Sequence, residues 1–197
     1  MAAALGTRFL DREGREFVPT GDTLEQVASI DIADTQALLE GVKITAMCDI
    51  DNPMTGPKGA AYVFGPQKGA DSEMVQRLDE NLTALAQRIH QDLGVDVQNL
   101  PGAGAAGALG AGLVAFCGGT LQPGIETVLQ TVGFDEQLKD TDLVFTGEGR
   151  IDAQSLGGKV VIGVAEHAKL QNCPVIAIVG DVGEGVEPCL LYTSRCV

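Results

Sequence analysis

The chain has 197 residues, of which 45% are hydrophobic and 20% are charged, and its formal net charge is −14. This composition is typical of a globular protein with a packed core in one or two domains. The negative charge disfavours binding to nucleic acid or to an anionic membrane surface, because no local basic patch offsets it. The longest apolar stretches are much shorter than the ~20 residues of a membrane-spanning helix, so we expect a cytoplasmic protein.

The first part of the chain predicts short helices followed by a strand. Asp22 and Glu25 form a capping-box pattern ahead of one helix, and Asp34 is placed to cap a second helix. Residues 43–48 alternate between apolar and polar side chains and are rich in β-branched residues. This pattern predicts a strand that ends in the polar segment that follows it.

The clearest helical pattern covers residues 72–93, where apolar side chains recur every three or four positions until Gly94 ends the pattern. His90 lies beside the apolar stripe, and we expect it to be a surface residue. The Gly/Ala-rich run over 101–116 predicts a closely packed helix, and Pro123 is placed to begin the next helix.

From Asp142 onward the pattern changes to a β-α-β unit, with strands over 143–146 and 174–180 and a helix between them. Strands joined by a crossover helix pair in parallel, so the predicted fold class is α/β. The change of pattern places a domain boundary near residues 140 and 141. We expect both ends of the chain to be truncated, and residues 189–197 to be a non-native tail, since they fit neither a helix nor a strand.

The segment TGEGRID, residues 146–152, follows the first of these strands and contains two glycines that flank Glu148. Open α/β sheets bind ligands at the carboxyl ends of their strands. Glu148 and Asp152 offer the carboxylate oxygens that Mg²⁺ prefers, and Arg150 suits an anionic group. A tight turn with solvated charges fits the same spacing.

The segment QSLGGK, residues 154–159, opens the next helix. Ser155 and the free backbone N–H groups of a helix start favour an anion, and Lys159 adds a full charge there. This segment is not a Walker A motif, because Val160 stands where that motif has Ser or Thr. A surface lysine is the alternative interpretation of Lys159.

The loop over residues 48–69 concentrates acids, amides, glycines and prolines between two regular elements, a composition typical of ligand-binding loops. Asn52 and Lys68 suit a carboxylate or phosphate. Asp49 and Asp51 alternate, so we expect only one of them in a site. The alternative is a turn held by its own hydrogen bonds. Residues 102–107 match GxGxxG, but we interpret them as a helix-packing segment, because a poor strand precedes them.

Taken in order, CDIDNPMTGPKGAAYVFGPQKGA, PGAGAAGALGAG and TGEGRIDAQSLGGKVVIGVA resemble successive signature stretches of the bacterial glycerate kinase family. The resemblance extends from Met1 to about Pro188, and members of that family are considerably longer. It implies a two-domain α/β architecture with a ligand cleft. Residues 1–140 would form most of an inserted domain, and residues 141–188 a partial Rossmann-like domain.

The resemblance implies phosphoryl transfer from ATP to a hydroxyl of glycerate, with Mg²⁺ as the cofactor. The implied catalytic residues are Glu148, Asp152 and Lys68, of which the two acids would also hold Mg²⁺. The implied substrate-binding or phosphate-binding residues are Asp49, Asn52, Arg150, Ser155 and Lys159. A non-catalytic binding module for a nucleotide or small acid, and an inactive fragment, are the alternatives. The sequence leaves open a homo-oligomer and which hydroxyl is phosphorylated.

Overall fold

A computed structural model describes residues 1–152 and 160–184, together with the backbone of residues 195–196. The chain divides into two compact units, Met1–Leu121 (unit 1) and Gln122–Val197 (unit 2). None of the helices in the described part of the chain is long and apolar enough to cross a membrane.

The short strands of unit 1 form two separate small sheets. In chain order these are β1 (Arg8–Leu10), β2 (Glu16–Phe17), β3 (Ser29–Asp31), β4 (Thr45–Met47) and β5 (Thr120–Gln122). β1 pairs antiparallel with both β2 and β3, and β4 pairs with β5. The sequence patterns predicted β4 but not the β1–β3 sheet, because strands of two or three residues are too short to show a periodicity.

The longest helix of unit 1 is the one that the apolar stripe predicted. In chain order they are α1 (Ala33–Leu38), α2 (Ala60–Phe64), α3 (Ser72–Leu93) and α4 (Ala105–Cys117), with short 3₁₀ turns at Ala2–Leu5, Leu24–Gln26 and Pro66–Lys68. The bounds of α3 agree with the prediction. Asp71 caps α3 by accepting a hydrogen bond from the Met74 N–H at 2.9 Å, and Gly94 ends it in a left-handed conformation.

Two of the sequence-predicted helix starts were wrong. The 3₁₀ turn at Leu24–Gln26 is preceded by Thr23, and no side chain caps it, so Asp22 and Glu25 do not form a capping box there. The N-cap position of α1 is Ile32, and Asp34 lies in the first helical turn. A carboxylate in the first turn still favours the helix through the helix dipole.

The core of unit 1 joins the β1–β3 sheet to α3 and α4. Phe9 of β1 packs edge to face against Phe116 of α4, with ring centroids 5.5 Å apart. Ile89 of α3 is buried in the same cluster. A buried hydrogen bond of 2.8 Å joins the hydroxyls of Thr7 and Thr35, which satisfies two polar groups inside the unit.

Helix α4 is interrupted near its start. Ala106, Gly107 and Ala108 have φ angles of 51°, 69° and 67°, which lie in the left-handed region that costs an L-residue about 1–2 kcal/mol. The prediction of one continuous helix over 101–116 was therefore wrong in this segment. The regular part of α4 ends at Cys117, and Gly118 caps it in a left-handed conformation.

Unit 2 is built on a parallel pair of strands. Its elements are α5 (Gly124–Thr131), α6 (Phe134–Leu138), β6 (Val144–Ile151), α7 (Val160–Leu170), β7 (Val175–Val182) and β8 (Arg195–Cys196). β6 and β7 pair in parallel from Val144 opposite Val175 to Ile151 opposite Val182, and β8 pairs in parallel with β7. The predicted parallel β-α-β unit is thus confirmed.

The strand β6 continues through the segment that the sequence assigned to a turn. The glycines of this segment allow the two strands to approach, since a Cβ added to Gly147 would lie 2.4 Å from the Ile178 carbonyl oxygen. A Cβ added to Gly180 would lie 2.8 Å from the Gly149 carbonyl oxygen. The glycines therefore serve strand packing, and the prediction that the strand ends at Thr146 was wrong.

Helices α5 and α6 belong to unit 2, although the sequence pattern grouped them with the first part of the chain. Leu129 of α5 and Leu138 of α6 are buried in one cluster with Ala165 of α7 and Val175 of β7. Unit 2 starts at Gln122, and the domain boundary near residues 140 and 141 stays a prediction. A second cluster joins Ile151 to the α7 side chains.

Candidate functional site

The described site residues fall into two groups, one in each unit. Asp49, Asn52 and Lys68 lie on the loop between β4 and α3 of unit 1, and Glu148, Arg150 and Asp152 lie on or directly after β6 of unit 2. Ser155 and Lys159 lie outside the described residues. The catalytic roles that the family resemblance implies for Lys68, Glu148 and Asp152 therefore stay predictions.

The loop after β4 is held by the glycine-rich segment before α4. The Gly104 N–H donates to the Asn52 carbonyl oxygen at 3.0 Å. A Cβ added to Gly104 would lie 2.3 Å from the Pro53 carbonyl oxygen, and one added to Gly102 would lie 2.9 Å from the Cys48 sulfur. The glycines of the GxGxxG match therefore permit close packing of two backbone segments, although the first of them lie in a turn before α4 and not in a helix.

Asn52 helps to shape the same loop. Its side-chain Nδ2 donates to the Lys58 carbonyl oxygen at 2.8 Å, which is the hydrogen-bonded turn that the sequence left as an alternative. The next part of the loop is fixed by the Gly56 N–H, which donates to the Asp79 carboxylate at 2.8 Å. These contacts orient the segment that leads to α2 and then to Lys68.

A cavity of about 750 Å³ lies within unit 1. Its lining is mostly apolar, with contributions from α2, α3 and α4 and from the chain around residues 19–24 and 64–68. Lys68 lines this cavity, whereas Asp49 and Asn52 do not. The structure therefore brings one of the three predicted loop residues of unit 1 to a cavity of ligand-binding size.

The carboxyl ends of β6 and β7 form the polar group of unit 2. Arg150 Nε lies 3.3 Å from the Asp152 carboxylate, and Arg150 Nη1 lies 3.5 Å from the Asp181 carboxylate. The Arg150 side chain is 59% exposed. A guanidinium has five N–H donors, so Arg150 retains donors that can contact a ligand anion.

Glu148 lies opposite Val179 in the β6–β7 register, two residues before Arg150. Mg²⁺ is commonly bound through one or two carboxylates together with water and substrate phosphates, and Glu148 and Asp152 fit that donor chemistry. Among residues 1–152 and 160–184, no three His, Cys, Asp or Glu side chains form a group that could hold a metal ion.

Sequence reasoning missed an ion cluster in unit 2. His167 of α7 contacts the Asp135 carboxylate of α6 through Nδ1 at 2.7 Å, and the Glu126 carboxylate of α5 through Nε2 at 2.9 Å. The hydrogen bond to Asp135, followed by the one to Glu126, raises the pKa of His167. The three residues are far apart in sequence, so only the packing of the helices reveals the cluster.

Comparison with known protein families identifies the family of this chain. The sequence profile of the glycerate kinase family matches residues 1–193. The chain belongs to the glycerate kinase family. This result confirms the resemblance noted in the sequence, and the family's mixed α/β character agrees with the strands and helices of both units.

Several curated glycerate kinases are similar to this chain. A glycerate kinase of Halalkalibacterium halodurans is 49% identical over 95% of this chain and 49% of its own length. One from Bacillus cereus is 50% identical over 92% of this chain and 48% of its own length. A glycerate 2-kinase of Escherichia coli is 46% identical over 94% of this chain and 49% of its own length.

A similar fold exists among solved structures. A crystal structure described as glycerate kinase 2 from Salmonella typhimurium LT2 superimposes with a TM-score of 0.78 at 46% identity, covering 98% of this chain and 54% of that chain. This chain therefore spans about half the length of the glycerate kinases that it matches.

Proposed function

We propose that the complete enzyme, of which this chain forms about half, transfers the γ-phosphoryl group of ATP to a hydroxyl of glycerate. The observation that carries the proposal is the identity of 46% to 50% with proteins named glycerate kinase over at least 92% of this chain. The proposed reaction uses ATP, which favours a cytoplasmic location. We also propose that residues 1–140 form most of the inserted domain and that residues 141–188 form part of the Rossmann-like domain.

In phosphoryl transfer, the main tasks of the protein are to position the reactants and to neutralise the charge that develops on them. In this proposal Glu148 or Asp152 orients the attacking hydroxyl, and the same acids are the protein's candidates for holding Mg²⁺. Magnesium, when bound, offsets the negative charge that develops on the transferring group. Arg150, held by Asp152 and Asp181, binds the glycerate carboxylate or a phosphate through its exposed donors.

The remaining proposed contacts involve cations and polar groups. Lys68 and Lys159 bind a phosphate as point charges, and Ser155 donates a hydrogen bond to it through its hydroxyl. Asp49 and Asn52 contact the substrate from the loop after β4. Each of these roles is a separate proposal, and each can be examined by a single substitution.

The test uses the complete reading frame and measures ADP release from ATP with glycerate. Glu148→Gln and Asp152→Asn are expected to lower kcat by at least about 100-fold, since each removes a positioned carboxylate. Arg150→Ala is expected to lower turnover by at least about tenfold. The control Glu184→Gln changes an exposed acid after β7 and should leave the rate unchanged.

The products and the binding data separate the alternatives. Phosphorus NMR of the product identifies whether the 2- or the 3-hydroxyl has been phosphorylated. Tight binding of ATP without any phosphorylated glycerate would instead support a non-catalytic binding module. If Glu148→Gln and Asp152→Asn both retain the full rate, the proposed roles of the β6 carboxylates are wrong.

A further inference from the structure

Helices α3 and α4 contribute a large apolar part of the wall of the unit 1 cavity. From α3 it is lined by Leu78, Leu82, Leu85 and Ile89, and from α4 by Ala111, Gly112 and Phe116. Spacings of three and four residues place the α3 side chains on one face of that helix. The two helices thus present a hydrocarbon surface to whatever enters the cavity.

The polar side chains of the cavity include an unpaired amide and an unpaired cation. Gln67 and Lys68 both line it and both are exposed. Among the described residues, Lys68 has no ion-pair partner and the Gln67 side chain has no hydrogen-bond partner. Lys68 is also the one charged residue of the described cavity lining, in a chain of net charge −14. The charge of this cavity is therefore complementary to an anion.

The left-handed turn at Ala106–Ala108 lines the same cavity. Two alanines of this turn, Ala106 and Ala108, adopt a backbone conformation that costs each about 1–2 kcal/mol. Backbone strain of this kind is concentrated at ligand-binding segments. The strained turn is therefore a third feature, beside the cavity and Lys68, that indicates a ligand site in unit 1.

Size and polarity decide which ligand the cavity suits. Cavities of roughly 300–1,000 Å³ bind molecules of the size of a nucleotide, and this one measures about 750 Å³. Glycerate has three carbons and carries oxygens on each of them, so leucine and phenylalanine side chains would desolvate its polar groups without replacing their hydrogen bonds. A purine ring has flat apolar faces that can pack between α3 and α4.

We infer that the unit 1 cavity binds the purine nucleoside part of the nucleotide, with Lys68 contacting a phosphate at the mouth. This inference rests on the proposed function, which makes ATP the phosphoryl donor. The polar group at the end of β6 is then the candidate for glycerate. The cavity thus assigns nucleotide recognition to unit 1.

The test measures binding of N-methylanthraniloyl-ADP to the 197-residue chain by fluorescence, with adenosine and ADP as competitors. Gly112 offers a graded pair of variants, because a Cβ added there meets no atom closer than 3.7 Å. Gly112→Leu should place a bulky side chain in the cavity and weaken binding of ADP and adenosine by at least about tenfold. Gly112→Ala should retain binding. Circular dichroism checks that both variants are folded.

A second pair of variants separates the phosphate contact from the ring contact. Lys68→Gln should weaken the binding of ADP by about fivefold, as expected for the loss of one exposed ion pair. The affinity for adenosine should stay unchanged, since adenosine carries no phosphate. Lys58→Gln is the matched control, because Lys58 is exposed on the same loop and does not line the cavity. It should leave both affinities unchanged.

Three outcomes overturn the inference. They are no displacement by ADP or adenosine at millimolar concentration, displacement by glycerate that Gly112→Leu abolishes, and tighter binding of a medium-chain fatty acid than of adenosine. The proposed function is judged separately by turnover of the complete enzyme. A complete enzyme that phosphorylates glycerate, combined with any of these outcomes, would leave the function intact and place the nucleotide elsewhere.

Discussion

Replacing His167 with glutamine is expected to destabilise unit 2 in a pH-dependent manner. The His167 imidazole joins α7 to α5 and α6 through Glu126 and Asp135, and its side chain is only 15% exposed. Only the protonated ring can donate to both carboxylates, because the neutral ring has a single N–H. In the neutral ring, the lone pair of the unprotonated nitrogen would point at one of the two carboxylates.

The expected size of the effect follows from the exposure of the partners. A hydrogen bond to a charged group contributes about 1.5–3 kcal/mol in a protein. The side chains of Glu126 and Asp135 are 36% and 56% exposed, so solvent screening reduces each contribution to about 0.5–1 kcal/mol. His167→Gln should therefore lower the free energy of unfolding of unit 2 by about 1–2 kcal/mol near pH 6.

The direction of the pH dependence follows from the two pKa shifts. The pKa of His167 is raised from 6.5, so its contribution is fully present below pH 6.5 and is lost as pH rises through the raised pKa. The hydrogen bond from His167 lowers the pKa of Glu126 from 4.5. That contribution is present above pH 4.5 and is lost as pH falls through the lowered pKa. The cluster should stabilise unit 2 most between these values.

The assay is urea denaturation followed by the amide NMR signals of α5 and α7, at about pH 6 and about pH 9. The wild-type chain should lose stability between the two conditions, and the His167→Gln variant should lose less. His90→Gln is the matched control, because His90 is an exposed helical histidine in unit 1. Equal effects of His167→Gln at both pH values would refute the reasoning.

Three further predictions concern stability and association. Gly163→Ala should lower the free energy of unfolding by about 1–3 kcal/mol, because the new Cβ would lie 2.6 Å from Ile125. Gly149→Ala, with nothing within 4 Å, is its control in the same urea titration. Ala106→Gly should raise thermal stability by up to about 1 kcal/mol by relieving a φ of 51°. Phe145→Ser should reduce self-association in sedimentation experiments without loss of stability, since Phe145 is 64% exposed. Unchanged values in these measurements would contradict the corresponding prediction.

The local patterns of the sequence were sufficient to predict its long regular elements. The apolar stripe and the terminating Gly94 gave the bounds of α3, because helix periodicity and capping are properties of consecutive residues. The run of β-branched and apolar residues before Gly180 likewise predicted β7. The family resemblance also followed from the order of glycine-rich and acidic segments, and the profile match to residues 1–193 confirmed it.

Tertiary structure alone decided the features on which the proposals depend. The cavity beside Lys68 requires α3 and α4 to pack with a gap between them, and no local pattern encodes that gap. The left-handed turn at Ala106 runs against the backbone preference of alanine, so no local pattern predicted it. The partners of His167 lie 32 and 41 residues away in sequence. Sequence periodicity reports which face of an element is apolar, whereas cavities and ion clusters depend on which faces meet.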